Sequence, residues 1–104
     1  MYKILLACAA GMSTSMLVEK MKVSAKEQNI DVMIDAVSEG KAKKIYSEFD
    51  VLFLGPQVSH MESNFRTLLA PEGIPVEVIN MMDYGMMDGK KVLKRAIELI
   101  EGEK

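Results

Sequence analysis

Two kinds of periodicity alternate along this chain. Ile4-Leu5-Leu6-Ala7 and Val51-Leu52-Phe53-Leu54 are apolar runs with no polar interruption. That is the pattern of parallel strands covered on both faces. The first strand is expected over about Lys3 to Ala7. Val32 to Val37 and Pro75 to Ile79 also read as strands, but Asp35 and Glu77 interrupt them, as at the edges of a sheet. Between these runs the period changes to 3.6. From about Thr14 to Gln28, the residues Thr14, Leu17, Val18, Met21 and Ala25 share one side of a helix. Met16 and Val23 then fall outward among Glu19, Lys20, Lys26 and Glu27. Ser13 or Thr14 is the expected cap, and Asn29 closes the helix. A shorter helix over Ser38 to Tyr46 turns Ala42, Ile45 and Tyr46 inward, with Lys41, Lys43 and Lys44 on a solvated face.

Gly55-Pro56 ends the third strand. Ser59-x-x-Glu62 then predicts a capping box opening a third helix. Met61, Phe65, Leu68 and Leu69 form its inner face, and Pro71-Glu72-Gly73 terminates it. Asn80 to Gly89 reads as a loop. The last helix starts near Asp88 and buries Val92, Leu93, Ala96, Ile97 and Ile100. The result is a single α/β domain over residues 1–104. It has three layers: a four-stranded parallel sheet of order 2-1-3-4, flanked by helices on both faces. Each crossover is long enough for a right-handed parallel connection. The strand order reverses between strands one and three. The loops after those strands therefore flank the crevice at the switch point, where open α/β sheets take their ligands.

The loop after strand one carries the candidate chemistry: Cys8-Ala9-Ala10-Gly11-Met12-Ser13-Thr14-Ser15. Its cysteine, the only one in the chain, ends a central strand just before a helix start. Gly11 permits a positive φ in a tight turn. Convergent N–H groups at a helix N-terminus hold anions and favour the thiolate form of a neighbouring thiol. Ser13, Thr14 and Ser15 add hydroxyls. A cysteine after a strand is by itself most often a small buried hydrophobe. The glycine three positions on, followed by Ser-Thr-Ser, favours a nucleophile that carries a phosphoryl group. Residues 9–15 are the expected phosphate-binding loop.

Two phosphorus chemistries begin from such a loop. Hydrolases of the low-molecular-weight tyrosine phosphatase type use Cys-x5-Arg, whose guanidinium clamps the transferring group. Here the sixth position after Cys8 is Thr14, and the nearest arginine in sequence is Arg66, on another helix. Asp83 and Asp88 could serve as a general acid, but equally as turn and cap residues. A carrier is served by lacking the arginine, because it must keep its phosphoryl group from water. A non-enzymatic anion-binding regulatory module is the third reading. His60, the only histidine, lies inside a predicted helix start and reads as a solvent-facing residue rather than a second carrier.

Composition narrows the setting. A formal net charge of −2 gives no basic footprint for nucleic acid. One cysteine excludes an internal disulfide, and no ligand cluster calls for a metal or another cofactor. No apolar run approaches the ~20 residues of a membrane helix, and the first residues do not resemble a signal peptide, so a cytoplasmic protein is expected. Ten methionines are many for 104 residues.

Four segments, ILLACAAGMSTS (Ile4 to Ser15), LGPQV (Leu54 to Val58), PVEVI (Pro75 to Ile79) and Tyr84-Gly85 with Asp88-Gly89, resemble the IIB components of the bacterial phosphoenolpyruvate-dependent sugar phosphotransferase system, lactose/cellobiose/chitobiose class. The resemblance covers essentially the whole chain. It implies that a phosphohistidine on the IIA protein donates to Cys8. Cys8 would then pass the group to a sugar held by the membrane IIC component, a β-linked disaccharide such as cellobiose, chitobiose or lactose. It implies transient association with the inner membrane face through IIC. It also suggests a docking role for Met12, Met16, Met86 and Met87; Gln57 and Tyr84, in loops on the same side of the sheet as Cys8, could line the site, dock a partner or merely satisfy loop backbone. Adaptable methionine surface suits a protein that meets two partners in turn. Packing against the last helix is the competing reading for Met86 and Met87.

Overall fold

The computed structural model describes residues 1–9 and 12–102, and of Met12 and Ser13 the backbone only. Four parallel strands form the sheet: β1 (Tyr2–Cys8), β2 (Val32–Ser38), β3 (Val51–Leu54) and β4 (Val76–Val78). Their order is β2-β1-β3-β4, as the run pattern predicts. β1 lies in the middle because its seven residues pair along their full length with β2, from Tyr2↔Val32 to Cys8↔Ser38, and with β3 from Ile4↔Val51 to Ala7↔Leu54.

Helices cover both faces: α1 (Met12–Glu27), α2 (Glu39–Ile45), α3 (Glu62–Leu69), α4 (Met81–Gly85) and α5 (Gly89–Ile100). The two-residue side-chain period of β1 divides the core. Ile4 and Leu6 join Leu17, Val18 and Met21 of α1 and Val92, Leu93 and Ala96 of α5. Leu5 and Ala7 join Ala42 of α2 and Phe65 and Leu69 of α3 on the other face. The outer face of α1 follows its period, with Met16 60% and Val23 55% exposed. One pair of elements meets at unusually short range. A Cβ on Gly89, the first residue of α5, would lie 2.5 Å from backbone atoms of Lys20 and Met21 in α1.

Local chemistry moves several predicted boundaries. α1 begins at Met12, so Ser13 and Thr14 lie inside its first turn and are not its cap. Its far end closes with Asn29 at φ 57°, where the Ile30 N–H reaches the Ala25 carbonyl at 2.8 Å. A left-handed residue followed by that bond is a Schellman close, which asparagine tolerates. Ser38 caps α2, accepting the Lys41 N–H at 3.3 Å. The Ser59–Glu62 capping box does not form. Pro56–Met61 is a 3₁₀ segment, α3 opens only at Glu62 without a side-chain cap, and Glu62 pairs with Arg66 at 2.7 Å instead. Leu68 stands 38% exposed, off the inner face of α3. The segment expected as a loop contains α4. Asn80 caps it, accepting from the Met82 and Asp83 N–H groups at 2.9 and 3.2 Å. Asp88 in turn caps α5 through the Lys91 N–H at 3.1 Å.

Candidate functional site

Cys8 is the last residue of β1 and is 3% exposed. α1 starts four positions later. The strand therefore delivers the thiol to the C-terminal edge of the sheet, beside a helix N-terminus. Of the predicted phosphate-binding set, Ala9 is an exposed bend and Ser15 is exposed on α1. Ala10 and Gly11, and the side chains of Met12 and Ser13, lie outside the described residues. Thr14 is fully buried in the first turn of α1, and its hydroxyl has no hydrogen-bond partner among the described residues. A buried hydroxyl without a partner costs on the order of 1–3 kcal/mol.

The β3 strand end supplies the other wall. The Gly55 N–H donates to the Ala7 carbonyl at 2.8 Å, which brings the two strand ends together. A Cβ on Gly55 would lie 2.9 Å from Gln57 Oε1 and 3.4 Å from Cys8 Cβ. Gly55 has φ −64° and ψ 153°, which any residue can adopt. Space, and not backbone conformation, is what a larger side chain would violate there. Gln57 lies in the 3₁₀ segment, and its Nε2 donates to the Tyr84 hydroxyl at 3.0 Å. Tyr84 belongs to α4 and not to a loop, so a helical element carries it to the rim of the site.

The methionines separate. Met16 points to solvent from α1, and Met86 is 71% exposed at the end of α4. Met87 has turned inward and packs against the α1–α5 side of the core, which is the packing alternative. It does so with φ 52°, closing α4 as Asn29 closes α1, with the Asp88 N–H on the Asp83 carbonyl at 2.8 Å. Met81 and Met82 are exposed residues that the sequence reading passed over, at 76% and 73%. Asn80-x-x-Asp83, a cap residue with an acid three positions on, was the available signal for their helix. His60 is exposed in the 3₁₀ segment.

Both arginines of the sequence are engaged elsewhere. Arg66 holds Glu62 along α3. Arg95 of α5 grips Glu77 of β4 with two bonds of 2.8 Å and reaches Glu98 at 3.4 Å. That paired geometry holds the Arg95 guanidinium charged, above its already high ordinary range. Neither is placed as the clamp of a Cys-x5-Arg loop. Among the described residues no group of His, Cys, Asp and Glu could hold a metal ion. Nor is any helix there long and apolar enough to cross a membrane.

Comparison with known proteins places the chain among relatives. A family model described as "PTS system, Lactose/Cellobiose specific IIB subunit" matches residues 3–95. The oligo-beta-mannoside-specific EIIB component of Bacillus subtilis (strain 168) is 46% identical over 100 residues, covering 96% of this chain and 97% of the relative. The cellobiose-specific EIIB component of Lactococcus lactis subsp. lactis (strain IL1403) is 44% identical over 102 residues, 93% and 94% of the two chains. The solution structure of a cellobiose-specific IIB component from Borrelia burgdorferi superposes with TM-score 0.82 at 42% identity, over 99% of this chain and 94% of that one. A lactose-specific IIB domain from Streptococcus pneumoniae shares the fold with TM-score 0.85 at 21% identity, over 93% and 95%.

Proposed function

The chain belongs to the lactose/cellobiose-specific IIB family of the sugar phosphotransferase system, and from that membership we propose that it carries the phosphoryl group on Cys8. The observation that carries the reading is the placement of Cys8: the end of the central strand, at the switch point, four residues before a helix N-terminus. The thiolate attacks the phosphorus of a phosphohistidine on the IIA protein. An S–P bond forms, the N–P bond breaks, and the proton given up by the thiol restores the imidazole N–H. In the second step a sugar hydroxyl, held by the membrane IIC component, attacks the same phosphorus. The O–P bond forms and the sulfur leaves as thiolate, while the hydroxyl proton is released. The substrate is a β-glycoside or related sugar, the class named for the mannoside and cellobiose relatives.

Residues 9–15 hold the phosphoryl oxygens through amides and hydroxyls, and Thr14 supplies a buried hydroxyl in the first helical turn. Met16, with the exposed Met81, Met82 and Met86, offers IIA and IIC an adaptable apolar surface. Met87, partly buried against the core, offers less of its side chain to a partner. This arrangement favours a carrier over a phosphatase, since both arginines are committed to glutamates. Incubation with phosphorylated IIA is expected to add one phosphoryl mass per chain and then stop. Multiple-turnover cleavage of an aryl phosphate, lost in Cys8→Ser, would replace this reading with a hydrolase. Reversible phosphate binding with no covalent adduct would replace it with a binding module.

A further inference from the structure

Gln57 and Cys8 both border the space that a Cβ on Gly55 would occupy, and Tyr84 holds the amide of Gln57 from its other end. That Cβ position lies 2.9 Å from Gln57 Oε1 and 3.4 Å from Cys8 Cβ. With Nε2 donating to the Tyr84 hydroxyl at 3.0 Å, the amide oxygen is the end turned toward Gly55, beside which Cys8 lies. An amide carries an acceptor at one end and two donors at the other, and a phenol hydroxyl both donates and accepts. The pair can therefore make its hydrogen bond in either of two orientations. With Nε2 on Tyr84, Oε1 is on the Gly55 side and suits a thiol, a weak donor. With Oε1 accepting from the Tyr84 hydroxyl, the NH₂ group takes that side. That second orientation suits a phosphoryl dianion, which would repel an amide oxygen and accept a charge-assisted bond from the N–H.

We propose that Gln57, anchored by Tyr84, is a positioning residue that reverses its amide when Cys8 is loaded and so orients and stabilises the phosphoryl group. The proposal rests on the phosphocysteine reading above. It sharpens that reading by assigning to the loop after β3, braced by α4, a contact from the other wall of the site. It needs no side-chain charge at the site, which is consistent with a group that must leave again for a sugar.

The test uses the full chain loaded by the phosphorylated IIA protein of the same system. Gln57→Glu keeps the shape and the bond to the Tyr84 hydroxyl but sets a negative charge against the incoming group. Gln57→Met keeps the size and removes the polarity. Gln57→Glu is expected to load about tenfold more slowly than Gln57→Met, with the deficit shrinking as pH falls from about 7 toward 5 and the carboxylate protonates. In ¹⁵N-labelled wild-type protein the Gln57 side-chain amide protons are expected to move downfield on loading. Equal loading of the two variants at all pH values, or an unmoved amide resonance in a protein that is loaded, overturns the positioning role. Absence of any adduct on the wild type overturns the carrier reading itself.

Discussion

At the scale of single residues, the chemistry depends on what stands next to Cys8. Gly55 is a spatial requirement: an added methyl would collide with Gln57 Oε1 at 2.9 Å, the end of a flexible side chain, while meeting Cys8 Cβ at only 3.4 Å. Gly55→Ala is therefore expected to fold, with a melting temperature close to wild type, yet to load more slowly from phosphorylated IIA because Gln57 is displaced. A large drop in melting temperature would show instead that the strand ends cannot separate. Some of this was legible in the sequence. The outward phase of Met16, the inward phase of Thr14 and the exposure of His60 follow from a 3.6 period or a turn position. The sequence left open whether Met86 and Met87 pack inward or outward and could not separate them, because a left-handed backbone at a methionine breaks the usual pattern of glycine at a helix close. The Gln57–Tyr84 bond joins residues 27 positions apart in two elements, and no local pattern encodes such a contact.

At the scale of elements, short helices are decided by their caps. α4 has only five residues, too few to persist by propensity. It exists because Asn80 satisfies two N–H groups and Met87 closes the other end. Asn80→Ala is expected to cost about 1 kcal/mol and to weaken phosphoryl loading, since it loosens the element that carries Tyr84. Denaturant melts together with loading rates check both halves of that statement. The same reasoning explains the failed capping box. Ser59 and Glu62 have the right spacing, but Pro56 begins a 3₁₀ segment that places Ser59 before the helix, and Arg66 captures the glutamate. Gly89 is the opposite kind of case, with backbone and not a side chain in the way. Gly89→Ala would force α1 and α5 apart from 2.5 Å contacts, at a cost of about 1–3 kcal/mol, read as a lower urea midpoint.

At the scale of the whole molecule, the sheet order was legible because burial differs between strands. From Ile4 onward β1 is apolar and buried, as β3 is along its whole length, whereas β2 and β4 carry Asp35 and Glu77 at the edges. The order fixes the site, since only the β1–β3 boundary reverses direction and Cys8 lies beside it. Phe53 shows how far the site rests on that core. It is 1% exposed on β3, in the cluster shared with α1 and α5. Phe53→Ala is expected to remove about 3–5 kcal/mol, a large share of the ~5–15 kcal/mol available to a domain. The measurement is a shift of the urea midpoint at unchanged slope.

The claim on which the rest depends is that Cys8 holds the phosphoryl group. Loading the protein from radiolabelled phosphorylated IIA, digesting it and locating the label tests that directly. The label is expected on the peptide containing Cys8, absent from Cys8→Ser and unchanged in His60→Ala. Label on the peptide containing His60, retained in Cys8→Ser and lost in His60→Ala, would contradict the account.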